Sequence, residues 1–453
     1  MSTTSRTGVA VAALSLGTAL NPLNSSMIAV ALVVLRADFG LDVATVTWVI
    51  TAFYLTSAAA QPLMGRLADR FGPRRLFILG MAVVAVTCAL APFAPNFALL
   101  CVARAFMALG TATAYPSAIV MVGALARQAK MKYSRPLGRI QMANTAAAAV
   151  GPVVGGLLVS LVGWQALFLV NVPLALAALI IVRRYAPADE DRERGRASEL
   201  LRDSDIPGIL AFLGALVLMM MALLNVLPDV RWWLLGGGTL LTVLFVWREL
   251  RFAPPFLDLR MLGRNRPLLL LYLGFAVFNG VYYLAFFGLP QLLQEAAGYD
   301  PGIVGLLMLP LAAISVLATP FAVRAIDRFG VRRVLIAGAG VLVVASGMTW
   351  LLTASLAVPL VLTLTALLGV PYCVVNIASS QGLYMSTRPQ ERGVAAGIYQ
   401  TFRYLGAITA TVLIGLFYGS GVNQANWGLM VLVMLGLGAV AFVVTLLWRE
   451  QAA

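Results

Sequence analysis

Histidine is absent from the 453 residues, and only 11% of them are Asp, Glu, Lys or Arg, where a soluble protein carries about a quarter. Without histidine there is no imidazole relay and no histidine metal site. The three cysteines, Cys88, Cys101 and Cys373, are an odd number without metal-ligand spacing. Each falls inside an apolar run, so they read as small core residues. No Gly-x-x-x-x-Gly-Lys-Ser/Thr stretch occurs, so ATP-driven chemistry would need a separate subunit, and no cofactor is expected. No nucleophile, base or metal constellation suggests an enzyme. All 18 acids fall in loops or at the ends of apolar runs. A cleavable signal peptide is not expected, because the first apolar run is too long and lacks a small-residue cleavage site.

What the chain has instead is apolar length. It is 61% hydrophobic with a mean hydropathy of +0.92, and runs of about 20 apolar residues recur throughout, enough for a helix to cross a bilayer. Fourteen spans are expected, the first six near 8–34, 45–63, 76–95, 97–121, 138–162 and 164–182. An extra pair follows near 206–224 and 231–248. The last six lie near 268–290, 302–322, 334–353, 357–381, 393–417 and 428–448. This describes an all-α polytopic membrane protein with two six-helix bundles, 1–182 and 268–453. Cytoplasmic linkers and the extra pair occupy 183–267.

The formal charge of +14 would point to nucleic acid in a soluble protein. Here arginines mark one face of the membrane. With fourteen crossings, 28 of the 32 basic residues fall on the side that holds both termini, so both termini are expected in the cytoplasm. Only Arg36 and Arg231 fall in the opposite loops, and Arg104 and Arg403 fall inside spans. The linker from Arg183 to Asp205 holds seven acids and six arginines and reads as a solvated connector.

One stretch occurs twice. Gly65-Arg66-Leu67-Ala68-Asp69-Arg70-Phe71-Gly72-Pro73-Arg74-Arg75 reads as a tight basic turn between two spans. Arg324-Ala325-Ile326-Asp327-Arg328-Phe329-Gly330-Val331-Arg332-Arg333 is a worn copy, and both contain Asp-Arg-Phe-Gly-x-Arg-Arg. Such an internal repeat is of transporter type. Gly65, Leu67, Asp69, Arg70, Gly72 and Arg74 match the loop between the second and third helices of the major facilitator superfamily, and the whole chain resembles its 14-helix drug:proton antiporter branch. In that reading Gly65, Asp69, Arg70, Gly72, Arg74, Asp327 and Arg328 form a conformational latch. Its glycines let helix ends approach closely, and its charges bridge to carbonyls or helix termini.

Other motifs follow in order. Leu23-Asn24-Ser25-Ser26 resembles the branch's first-helix motif, with Asn24 where that motif carries an aspartate. Asn21, Asn24 and Ser26 are expensive at mid-span unless they face a cavity or a partner helix. They serve either a proton and substrate pathway or interhelical hydrogen bonding. Arg104 heads an Arg-x-x-x-x-x-Gly segment like the superfamily's fourth-helix motif, and either handles protons and substrate or bonds carbonyls. Gly151, Pro152, Gly155 and Gly156 match the core of the antiporter motif, with Ala147 replacing its first glycine, and this resemblance implies export. Trp164, Phe168, Asn171 and Pro173 match the next helix's motif and read as anchoring and packing. In the second half Asn279, Tyr282, Tyr283 and Gln291, with Phe286 and Phe287, either line a pocket for planar compounds or pack. Tyr372, Asn376, Tyr399, Gln400 and Arg403 complete the mid-membrane candidates.

The resemblance implies a monomeric multi-pass transporter of the cell membrane. Its partners would be the lipid bilayer and a small-molecule substrate, with protons as a possible coupling ion. Its absence of intramembrane carboxylates suggests a preference for neutral or anionic compounds. A facilitator or a lipid and metabolite exporter is the alternative within this class, and a transporter-fold sensor or scaffold the alternative outside it.

Overall fold

The computed structural model describes residues 3–128, 134–189, 205–224, 228–252, 257, 259–387, 392–419 and 421–449. Among them the regular elements are all helical. Among the described residues, eleven helices are long and apolar enough to cross a membrane, and two bent pairs bring the number to thirteen. The expected span at 231–248 is a helix, Arg231–Glu249, but it is not among the thirteen. Its three glycines and terminal arginines make it less apolar than the rest.

The first span is not a single rod. The Thr3–Met27 helix gives way to a short 3-10 turn, Ile28–Val30, before the Leu32–Phe39 helix, with a bend of 64°. A second break of 40° separates Pro301–Leu317 from Thr319–Phe329. There Pro320 lies at the start of the new helix, where its missing N–H is tolerated.

The chain forms two compact units. The first comprises Met1–Phe39, Ala52–Gly195 and Asp300–Leu306, and the second Gly40–Thr51, Arg196–Tyr299 and Leu307–Ala453. Each has an apolar interior, with Phe53, Phe77 and Phe168 buried in the first and Tyr272, Phe275, Phe278 and Trp427 in the second. The outward faces are apolar too. Along Pro73–Leu90, Leu79, Val86 and Leu90 are exposed at helical spacing, which suits acyl chains and would be unfavourable in water.

Within the first unit, Trp164 is buried, donates from Nε1 to Asp38 at 2.7 Å, and packs with Phe39 and Phe168. This agrees with the packing role expected of it.

Candidate functional site

The repeated basic stretch is less of a turn than its composition suggests. The Trp48–Phe71 helix runs through residues 65–71. Met64 and Ala68 pack with Ala60, Leu76 and Ala112, and Leu63, Leu67 and Leu109 lie against that cluster, so burial holds the last two turns helical. The turn is Gly72 alone, at φ 95°, a left-handed backbone that favours glycine.

Gly65 corrects the expectation of close approach, because no described atom lies within 4 Å of a Cβ placed there. Gly72 does need its missing side chain. A Cβ would sit 2.4 Å from Asp189 Cγ, whose carboxylate accepts the Arg74 and Arg75 amides at 2.9 and 3.0 Å. Asp189 thus occupies the N-terminus of the Pro73–Leu90 helix, where free amides and the helix dipole favour an anion. The solvated linker expected at 183–205 therefore starts inside the Asn171–Tyr185 helix and contains a docked residue, Asp189. Nothing in a run of seven acids marked Asp189 as the one that docks. The side chains of Arg66, Asp69 and Arg70 lie outside the described residues.

Arg74 donates to the carbonyl of Arg183, near the end of the Asn171–Tyr185 helix. In the second copy Gly330 turns at φ 83°. Arg332, the counterpart of Arg74, donates to the Trp448 and Leu446 carbonyls at 2.9 and 3.0 Å, at the end of the Gln424–Leu447 helix. Each arginine closes the exposed carbonyl end of a helix. Asp327 and Arg328 are exposed, and the Arg328 guanidinium lies 5.2 Å from the Phe329 ring.

The first unit's mid-membrane residues mostly bond to one another. Asn24 is buried, and its Nδ2 donates to Asn171 Oδ1 at 2.8 Å and to the Leu20 carbonyl at 2.8 Å. Asn171 reciprocates, from Nδ2 to Asn24 Oδ1 and to the Leu167 carbonyl, both at 2.7 Å. Asn21 donates to Thr111 at 3.0 Å, and Ser26 to the Pro22 carbonyl at 2.8 Å. The residue expected to replace a proton-coupling acid is half of a closed amide pair. Asn171, read only as packing, is the other half.

Arg104 is buried, with its guanidinium 4.5 Å from the Phe53 ring centroid and Nη1 directed at Met107 Sδ. A cation over an aromatic face gains about 2 kcal/mol or more when desolvated.

The glycines of the antiporter motif are contact surfaces. A Cβ on Gly151 would lie 1.8 Å from Ser26 Oγ, and one on Gly155 2.6 Å from the Met27 carbonyl. One on Gly156 would lie 2.3 Å from the Pro301 carbonyl, and the Pro152 carbonyl stands 2.5 Å from the corresponding position on Gly305.

The second unit collects the aromatic candidates around Arg403. Its Nε and Nη2 donate to the Tyr283 hydroxyl at 3.3 and 3.2 Å, and Nη2 also to the Tyr372 hydroxyl at 3.0 Å. Tyr282 stacks on Tyr372 at 4.0 Å and on Phe286 at 5.6 Å, and Tyr283 on Phe287 at 5.4 Å. Tyr399, one turn before Arg403, stacks on Phe275 at 4.0 Å, and Gln400 beside it is half-buried.

Asn376 donates to the Tyr372 carbonyl and Gln291 to the Phe287 carbonyl. These close local helix bonds rather than reach the arginine. Asn279 does the same with Phe275, but its Oδ1 accepts nothing among the described residues. Three helices, Arg266–Glu295, Val358–Met385 and Arg392–Tyr418, therefore bring one guanidinium and two phenols together among stacked rings. Among the described residues no carboxylate bonds or pairs with Arg403.

The helices, the repeated turn and these polar groups inside apolar spans define a polytopic membrane transporter. The sequence matches the Major Facilitator Superfamily over residues 14–411 and again over 271–453. A Bacillus subtilis protein called an uncharacterized MFS-type transporter, YwoD, is 34% identical over 95% of this chain and 94% of its own. The multidrug efflux pump LfrA of Mycolicibacterium smegmatis is 30% identical over 93% of this chain and 83% of its own. In fold, a bacterial homologue of the human lysosomal transporter Spinster superposes with a TM-score of 0.70 at 14% identity, covering 98% of each chain. The chain belongs to the Major Facilitator Superfamily.

Proposed function

We propose that this transporter exports small, mostly apolar compounds from the cytoplasm by alternating access, and that it prefers neutral or anionic compounds to permanent cations. The observation that carries the substrate reading is Arg403, held by two phenols among stacked rings without a carboxylate partner among the described residues. An aromatic anion brought there gains a charge-assisted hydrogen bond and ring contacts. A lipophilic cation meets a like charge in a low-dielectric setting. Export is supported by the glycine-rich face at 151–156 and by the likeness to a named efflux pump. A sensor or scaffold would have no use for a guanidinium at that depth.

The proposal extends to the finer architecture: fourteen helices, bundles at 1–182 and 268–453 joined through 183–267, both termini cytoplasmic, and a monomer. It assigns the latch to the repeated turn. The closed Asn24–Asn171 pair has no group that ionises, so if protons are coupled at all, a rim acid such as Asp69, Glu295 or Asp327 must contribute. The test is efflux from sealed vesicles, with and without a pH gradient, comparing a quaternary ammonium dye with an anionic and a neutral compound of similar size. Faster export of the anionic or neutral compound is expected. Robust gradient-driven export of the cation alone would overturn the substrate reading.

A further inference from the structure

The extra helix pair carries a group of side chains that lies outside the candidate site. Asp205 caps the Ile206–Leu223 helix, and its Oδ1 accepts the Gly208 amide at 3.2 Å and Arg248 Nε at 2.5 Å. Its backbone lies at φ 43°, the single positive φ outside glycine among the described residues. A residue with a Cβ is held in that conformation only by its surroundings. Glu249 ends the Arg231–Glu249 helix, and its Oε2 accepts the Leu257 amide at 2.8 Å.

The two remaining carboxyl oxygens are the unusual feature. Asp205 Oδ2 and Glu249 Oε1 belong to side chains that are 1% and 0% exposed, and neither receives a hydrogen bond from a described donor. They converge on one point. A Cβ added to Gly208 would lie 2.3 Å from the first and 2.8 Å from the second, and the two carboxyl groups stand within hydrogen-bonding reach of each other. Two carboxylates are both acceptors and cannot bond. Two buried negative charges beside Arg248, the one arginine paired with Asp205 among the described residues, also leave one charge unbalanced. One proton supplies the missing donor and removes the excess charge.

We propose that Asp205 and Glu249 share a single proton, a Glu249 carboxylic acid donating to the Asp205 carboxylate, and that this proton site fastens together the feet of the two extra helices. The site lies on the face that the arginine distribution assigns to the cytoplasm. Burial and then the Asp205 charge outweigh the Leu257 amide and Arg248, leaving Glu249 pushed up to about 7. Among the described residues Arg248 is the charged side chain paired with Asp205. Nearby, Arg251 stacks on Trp247 and Arg260 bonds the Leu250 carbonyl, while Arg202, Asp203 and Asp258 lie outside the described residues.

The sign of the effect follows from these values. An unfolded glutamate releases its proton near pH 4.3, so the fastened form loses stability as pH climbs from about 4.3 toward the raised value. Above about 7 the pair carries two charges, and the link between the helices is weakest. Cytoplasmic acid tightens the pair and alkali loosens it.

The experiment uses the full protein in lipid nanodiscs, with infrared detection of the protonated-carboxyl stretch and hydrogen exchange at the Leu257 amide. The wild type should show a protonated-carboxyl band at pH 6 that is lost with a midpoint of about 7. Leu257 exchange, corrected for its intrinsic pH dependence, should rise on the order of tenfold by pH 8, the equivalent of one pKa unit. In Glu249→Gln, whose amide donates at every pH, the titrating band should vanish and exchange should stay flat. Asp205→Asn keeps a residue that tolerates the left-handed cap and removes the charge beside Glu249, so the midpoint should fall. Should Glu249→Gln fail to fold, the wild-type band and Asp205→Asn still decide. No carboxyl band titrating above pH 5, or the same band in Glu249→Gln, would overturn the proposal. So would a band seen only when sodium and potassium are replaced by a bulky organic cation, which would mean that a metal ion holds the pair.

Discussion

The Asn24–Asn171 pair of the first unit and Arg403 of the second handle polarity inside the membrane in opposite ways. In the first, Asn24 and Asn171 spend their bonding capacity on each other and on carbonyls one turn back, so each Nδ2 donates twice and each Oδ1 accepts. In the second, Arg403 rests on two neutral phenols, which satisfy part of its donor set and none of its charge. A polar residue at mid-span is therefore not a functional site merely by being costly there. What matters is whether its partners exhaust it. The reciprocal pair also explains the amide at position 24: a carboxylate there would offer no donor to Asn171 Oδ1. Under the proposed function, Arg403 is the group left with capacity to meet a substrate, and the Asn24–Asn171 pair is a structural clasp.

The largest expected effect comes from prising the first unit's clasp apart at its base. Gly155→Leu drives a side chain into the Met27 carbonyl, 2.6 Å from where its Cβ must go, three residues beyond Asn24 on the same helix. Overpacking at a backbone contact costs about 1–3 kcal/mol or more. Folded yield in detergent should collapse, and transport with it. A well-folded, active Gly155→Leu protein would show that this face yields easily.

Arg403 tests the other side of the contrast. Arg403→Leu removes the charge and both phenol bonds while keeping an apolar body, and should lower export of an anionic compound on the order of tenfold or more, for a lost charge-assisted bond of about 1.5–3 kcal/mol. Membrane abundance should stay near normal, because the neighbouring rings still stack on one another. Arg403→Lys should recover only part of the activity, since one ammonium does not reproduce the planar fork. Unchanged export of anions by Arg403→Leu in vesicles would move the substrate site elsewhere.

The amide pair should behave as a unit. Asn24→Leu alone strands Asn171, and leaving a buried amide unpaired costs about 1–3 kcal/mol. The double variant with Asn171→Leu strands nothing and should be less destabilised than the single changes sum to. A thermal-shift double-mutant cycle checks this. Strict additivity would mean that the two amides do not depend on each other.

Much of this was legible in the chain before any coordinates. Thirteen of the fourteen spans expected from hydropathy have a counterpart among the described helices, 231–248 being the exception, and the duplicated Asp-Arg-Phe-Gly-x-Arg-Arg marks the repeat, since both follow from local composition. Arg403, Tyr283 and Tyr372 were each picked out, but their meeting depends on three helices far apart in sequence. The bends after Val30 and Leu317 escaped because an apolar run looks the same straight or broken. Asp189 and Asn171 escaped for a different reason: their roles come from where a tertiary fold delivers them. Gly65 was over-read, because a glycine in a motif looks alike whether a neighbour fills its space or not.

The smallest expected effect separates the two glycines of the basic stretch, where the same closed-against-open contrast recurs. Gly72 is closed in: its φ is 95°, and Asp189 fills the space a side chain would take. Gly72→Ala should therefore cost about 1 kcal/mol or more through backbone strain and loosen the acid from the Arg74 and Arg75 amides. Gly65 lies within a helix with no described atom in reach of a Cβ. Alanine is the better helix former by about 0.8–1.0 kcal/mol in a helix interior, though a position near the helix end realises only part of that. Gly65→Ala should leave melting unchanged or raise it slightly, and vesicle efflux should match the wild type. Normal melting with impaired efflux would be the informative failure. It would mean that position 65 meets a neighbour only in another state of the transport cycle, which would make the glycine a part of the latch rather than of the resting structure.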